Sequence, residues 1–163
     1  MTGRIKDELK MRRVESPEQE AFLGVWRTQD RLLADLSALL KTYGLSVAQY
    51  NVLRILRGAG PDGMPCRNIA GRMVARLPDI TRMLDRLENR GLVSRRRGKN
   101  DRRQVLTRIG DEGLRLLERL DKPVLDTHRK QFLHLSRAEL RQLNRLLSKV
   151  RNPGGSEQED NGQ

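Results

Sequence analysis

A chain of 163 residues is one domain by length, and with 36% hydrophobic residues but only 3% aromatics its core has to be aliphatic, lean enough to suggest burial against a second copy. No apolar run approaches the ~18 residues of a membrane span, "MTGRIKDELKMRR" has no signal-like apolar stretch, and one cysteine with two histidines excludes an internal disulfide and a zinc site, so a cytosolic protein is expected. The net charge of +12 is concentrated: residues 46–109 carry 15 basic and 5 acidic side chains, against 8 and 7 before them and 10 and 9 after, which is the footprint of a polyanion partner.

In chain order, "SPEQEAFLGVWRTQDRLLADLSALLKTYG" predicts a helix with Ser16 as N-cap, Pro17 at the first helical position, Gln19 completing the cap and Gly44 closing it. Phe22, Val25, Gln29, Leu32, Leu36, Leu39 and Tyr43 repeat at three- and four-residue steps, a heptad-like stripe that calls for a partner helix. Ser46 and Gln49 form a capping box for a second helix, with Leu45 stapled to Tyr50, running to about Arg57 before the turn "GAGPDG". A short extended piece at Met64–Pro65 leads to "CRNIAGRMV", a short helix burying Ile69, Ala70 and Met73 and broken by "ARLP". Pro78 then starts "PDITRMLDRLENRG", with Ile80, Leu84 and Leu87 on one face and Gly91 as its close.

Residues 92–109 change period: two β-tending runs flank "GKND" and read as a hairpin. A helix resumes at Asp111 through Leu114, Leu117, Leu120 and Val124, with a kink or break expected near residues 119–122 because of Pro123. Ser136 and Glu139 box the last helix, which carries Leu140, Leu143, Leu147 and Val150. The tail "NPGGSEQEDNGQ" is expected to be disordered.

Short helix, four-residue break, second helix and basic hairpin are the order of a winged helix-turn-helix. The expected fold is therefore mainly α with a small β-hairpin, its DNA-binding region at 45–110, preceded by an arm at 1–15. Helical dimerisation segments at 16–44 and 111–151 flank that region, and a tail at 152–163 ends the chain. The helix from Pro78 leaves Asp79, Thr81, Arg82, Asp85 and Arg86 off its apolar face. Its N-terminal residues would meet base edges in the major groove, and its arginines phosphates or guanine. Asp79 and Thr81 read bases or serve only as first-turn residues, and Asp85 would pair with Arg82 or a wing arginine. The hairpin, with Arg95, Arg96, Arg97, Lys99, Arg102 and Arg103, would cross the backbone with its tip at the minor groove.

The stretch "MVARLPDITRMLDRLENRGLVSRRRGKNDRRQVLTRIGDEG" resembles the DNA-binding core of the MarR family of bacterial transcriptional regulators, and the resemblance runs from about residue 16 to 151. The family's Asp-x-Arg wing motif matches Asp101 and Arg103, which implies Asp101 as the organiser of the wing arginines and Arg103 as the probe of the minor groove. The resemblance also implies a homodimer with interlocking terminal helices, and release from DNA by a small, often aromatic, anionic effector. The chain departs from the family at Gly110, where Ser or Thr usually caps the next helix, and at Arg76 and Leu77, where Ser is common.

Trp26 and Tyr50 are candidates for an effector pocket, with core packing the alternative. Cys66 reads as a packing residue, and His128 and His134 as surface or dimer contacts. No phosphate loop, metal motif or nucleophile elbow is present, so no catalytic residue, cofactor or metal is assigned. The expectation is a dimeric, sequence-specific transcriptional regulator, a repressor, on a pseudo-palindromic duplex operator in the cytoplasm and nucleoid. A sequence-tolerant architectural DNA-binding protein and a protein-interaction module on the same fold are the alternatives.

Overall fold

A computed structural model of the chain describes residues 5–75, 79–97 and 104–154. A single turn, α1 (Ile5–Glu8), buries Ile5 near the start. Helix α2 (Pro17–Thr42) begins where Ser16, in extended backbone, accepts the Gln19 N–H on Oγ at 3.2 Å, and Pro17 costs nothing because its missing N–H has no partner in a first turn. It ends at Gly44, whose φ of +67° suits a residue without Cβ. There the Gly44 N–H donates to the Lys41 carbonyl and the Leu45 N–H to that of Leu40. Only Leu40 of this helix is buried; Phe22, Val25 and Trp26 are exposed, and the Phe22 and Trp26 rings meet edge to face at 5.7 Å.

Helix α3 (Val47–Ala59) carries both halves of the Ser46–Gln49 capping box and buries Tyr50, Val52, Leu53 and Leu56. Strand β1 (Met64–Pro65) precedes α4 (Cys66–Arg72), which buries Ile69 but leaves Ala70 and Met73 half-buried and ends short of the expected Val74. Helix α5 (Ile80–Asn89) starts two residues later than the sequence suggests, because Asp79 is its cap: the carboxylate accepts the Arg82 N–H at 2.9 Å. Pro78 lies outside the described residues. Leu84 and Leu87 carry the buried face of α5, and Gly91 closes it with φ +69°.

Strands β2 (Val93–Arg97) and β3 (Val105–Ile109) pair antiparallel from Val93 opposite Ile109 to Arg97 opposite Val105, as the hairpin reading expected. Met64 and Pro65 also pair with β3, giving a three-stranded sheet of order β1-β3-β2 rather than a hairpin alone. The extended piece at Met64–Pro65 is legible in the sequence, but its pairing with β3, far along the chain, leaves no local signal there. The core lies between this sheet, α3, α4, α5 and the helix that follows, with Leu53, Leu56, Ile69, Leu84, Leu87, Leu117 and Leu120 all fully enclosed.

That next helix, α6 (Asp111–Gln131), corrects half of one expectation: of a kink or a break near residues 119–122, the break does not occur, and the helix is continuous through Pro123. Proline at 123 removes the N–H that would bond the Arg119 carbonyl, but Arg119 is exposed, so water can take that carbonyl while Leu120 and Val124 stay buried on the other face. Its entry also explains Gly110. A Cβ there would stand 2.9 Å from the Gly91 carbonyl oxygen, so the Ser or Thr usual in the family has no room.

The chain divides into two compact units, one up to Thr127 and one from His128. The second comprises the end of α6, a turn and α7 (Arg137–Arg151), opened by the Ser136–Glu139 capping box. No residue of α7 is buried: Leu140, Leu143 and Leu147 are half-buried, and Leu146 and Val150 are exposed. The architecture is mainly helical with one small antiparallel sheet, a winged helix-turn-helix.

Candidate nucleic-acid interface

Helix α5 presents Thr81, Arg82 and Arg86 to solvent on the side opposite Leu84 and Leu87. The first turn is set by Asp79, whose carboxylate is engaged as the cap. Thr81 Oγ1 stands 3.9 Å from the Cys66 sulfur, so the half-buried thiol packs against the start of this helix.

Strand alternation sorts the wing arginines. Arg95 shares the face of buried Val93, and it turns toward α5: Nη1 pairs with Asp85 Oδ1 at 2.6 Å, and Nη2 donates to the Thr81 carbonyl at 3.3 Å. Glu88 completes this joint by accepting the Arg95 backbone N–H at 2.9 Å, with Arg95 Nε 3.6 Å from its second oxygen. Arg96 points the other way and donates to the Pro61 carbonyl at 3.1 Å, with Asp62 3.8 Å off. Arg97, at the end of β2, is exposed. Arg108, opposite Ser94 on β3, donates to its Oγ at 2.9 Å. Lys99, Asp101, Arg102 and Arg103 lie outside the described residues.

Two further side chains hold the reading head. Asn51 of α3 accepts the Val74 N–H at 2.9 Å, fixing the turn that follows α4. Arg90, the C-cap of α5, donates from Nη1 to the Gly44 carbonyl at 2.8 Å. Sequence reasoning missed Asn51, Glu88 and Arg90. Glu88 had a signal, as an acid three residues after Asp85, and Arg90 had a misleading one, as the next arginine in the four-residue row of Arg82 and Arg86.

On the other side of the head, Arg57 of α3 grips Asp121 of α6 with two hydrogen bonds of 2.8 Å. The guanidinium bond holds the Asp121 carboxyl below its ordinary pKa. Tyr50 is buried in the core, and its hydroxyl accepts from Arg54 at 3.1 Å. Trp26 lies apart from it, lining a cavity of about 270 Å³ with Leu9, Leu23, Arg27 and Asp30. Among the described residues no cluster of metal-ligating side chains occurs, and no helix is long and apolar enough to cross a membrane.

Comparison with known proteins places this arrangement. The MarR family profile matches residues 45–105, from the residue before the Ser46 cap of α3 to the first residue of β3. The HTH-type transcriptional repressor IacR of Pseudomonas putida is 29% identical over 133 residues, covering 82% of this chain and 78% of the repressor. A crystal structure of a MarR transcription factor from Planctomyces limnophilus is 45% identical, with a TM-score of 0.64 over 83% of this chain and 98% of that one. A mutant MarR from Escherichia coli complexed with operator DNA is 28% identical, with a TM-score of 0.71 over 77% and 89% of the two chains. CouR from Rhodococcus jostii bound to p-coumaroyl-CoA is 26% identical, with a TM-score of 0.72 over 88% and 100%.

Proposed function

The chain belongs to the MarR family and is a DNA-binding transcriptional regulator, and we propose that it represses by holding a pseudo-palindromic operator as a homodimer. The observation that carries this reading is the exposed row Thr81, Arg82 and Arg86 on a helix clamped to a basic hairpin. Such a helix enters the major groove while the hairpin lies over the backbone. Thr81 and the two arginines would meet bases and phosphates, with Pro78 and Asp79 at the entry. Arg97, Lys99, Arg102 and Arg103 would meet the backbone and minor groove, Asp101 orienting them. Arg95 and Arg96 would act through the hairpin they hold.

The dimer reading is supported by the exposed apolar side chains of α2 and, separately, of α7. Both are amphipathic helices with little to cover them in one chain, and the segments 16–44 and 111–151 would supply the arms. An arm at 1–15 and a tail at 152–163 complete the proposed organisation. A small aromatic or anionic effector is proposed by analogy with the ligand-bound relative, and the cavity at Trp26 offers an aromatic ring an apolar wall from Leu9 and Leu23, with Arg27 and Asp30 as its charged lining. The named relatives are regulators, and no catalytic step is assigned. The chain would work in the cytoplasm, on the nucleoid.

Selection of bound duplexes from a random pool tests the reading. Enrichment of an inverted repeat with half-sites about one helical turn apart supports it. An unenriched pool contradicts it in favour of sequence-tolerant DNA binding.

A further inference from the structure

Arg82, Arg86 and Arg90 are spaced by four residues, so by sequence they form one basic row along α5. The structure takes Arg90 out of that row. Its guanidinium turns back to the Gly44 carbonyl at 2.8 Å, in the turn that joins α2 to α3. The Gly44 and Leu45 N–H groups donate back to the Lys41 and Leu40 carbonyls, and the Gly44 oxygen, two residues past the end of α2, accepts from Arg90. Arg90 therefore stands at two helix carboxyl ends together, that of α5, which it caps, and that of α2. A helix carboxyl end carries partial negative charge, which favours the guanidinium where it sits, just past the end of α2. The acceptor is also fixed in place. Gly44 sits at φ +67°, and a Cβ there would meet Arg90 Nη2 at 3.3 Å.

We propose that Arg90 is a positioning residue that ties the end of the reading helix to the end of the dimer-arm helix, and so sets which half-site spacing the regulator accepts. The inference rests on the homodimer reading above. In a two-fold dimer the angle between head and arm fixes the separation of the two reading helices. A link at the far end of α5 from its base-reading turn acts on that angle without touching a base.

The test uses the full-length chain and its selected inverted repeat. Fluorescence anisotropy compares that duplex with versions one base pair longer or shorter at the centre, a single half-site and random DNA, for wild type, Arg90→Met and Arg90→Lys. The Met variant keeps the aliphatic stem but cannot donate, and should lose about three- to tenfold on the native spacing, the scale of one charge-assisted hydrogen bond. Its preference for native spacing over the altered ones should fall by a similar factor. Half-site and random-duplex affinities and the salt slope should stay unchanged, and Lys, which can still donate to the carbonyl, should recover part of the preference.

A uniform loss on all duplexes with a salt slope shallower by about one would make Arg90 a phosphate contact and overturn the inference. So would an Arg90→Met variant that retains the wild-type spacing preference. A wild type that sediments as a monomer, or that has no spacing preference, overturns the dimer reading and this inference with it.

Discussion

Arg95 Nη1 lies 2.6 Å from Asp85 Oδ1, and this pair joins strand β2 to helix α5, the helix proposed to enter the major groove. The arginine is one-quarter exposed, whereas Asp85 is half exposed, so the link is a shielded cation reaching an accessible acid. With Glu88 holding the backbone of the same residue, strand β2 is tied to the helix at two points.

Asp85→Asn should therefore weaken specific binding although it removes a negative charge and raises the net charge by one. A loss of about three- to tenfold is expected on the selected duplex, with no loss on random DNA, measured by anisotropy at one salt concentration. Tightening on both duplexes would show that the acid only opposes phosphate binding.

Asp101, which lies outside the described residues, is proposed as organiser of the wing arginines from its match to the MarR-family Asp-x-Arg motif, and the same reasoning applies to it. Asp101→Ala should lower affinity for the selected duplex despite the gain in net charge. Equal tightening on selected and random DNA would leave Asp101 as a turn residue.

The Arg57–Asp121 pair gives a pH prediction. The Asp121 carboxyl is lowered in the folded chain by its bond from Arg57, so its contribution is present above the unfolded value of about 3.9 and is lost as pH falls through the lower folded value. Asp121→Asn should cost about 0.5 kcal/mol at neutral pH, small because the pair is partly solvated. Urea midpoints should show that difference shrinking below about pH 4. A difference independent of pH would mean that the charge is not what stabilises the joint.

Gly113 inverts the usual helix rule. It lies in the first turn of α6, where Ala ordinarily gains about 1 kcal/mol over Gly. A Cβ there, however, would stand 2.3 Å from the Leu92 carbonyl oxygen and 2.8 Å from Ile109 Cγ1. Gly113→Ala should lower the thermal midpoint by roughly 4–8 °C, as expected for a loss of about 2 kcal/mol in a chain of this size. An unchanged or raised midpoint would show that the α6 entry can move away from the sheet.

The helix starts at Ser16, Ser46 and Ser136 were legible because a cap and its answering residue lie three apart in the sequence. The wing was legible from its change of period, and the basic head from charge counts. What could not be read were links between elements distant in the chain: Asn51 to Val74, Arg90 to Gly44, and β1 to β3. Each is a pairing between distant residues: the extended piece at Met64–Pro65 was legible, but which strand it joins was not. Pro123 misled for a related reason. Its local rule predicts a break, but the solvent exposure that makes the missing bond tolerable is a property of the folded surface.

The most direct test of the central claim is the salt dependence of binding to the selected inverted repeat and to random duplex of equal length. With about 6–10 phosphate contacts per dimer, log affinity should fall against log salt with a slope near −5 to −9, and at physiological salt the selected duplex should bind at least ~1,000-fold more tightly. Equal affinity for the two duplexes, or a slope shallower than about −2, would contradict sequence-specific operator binding through the basic head.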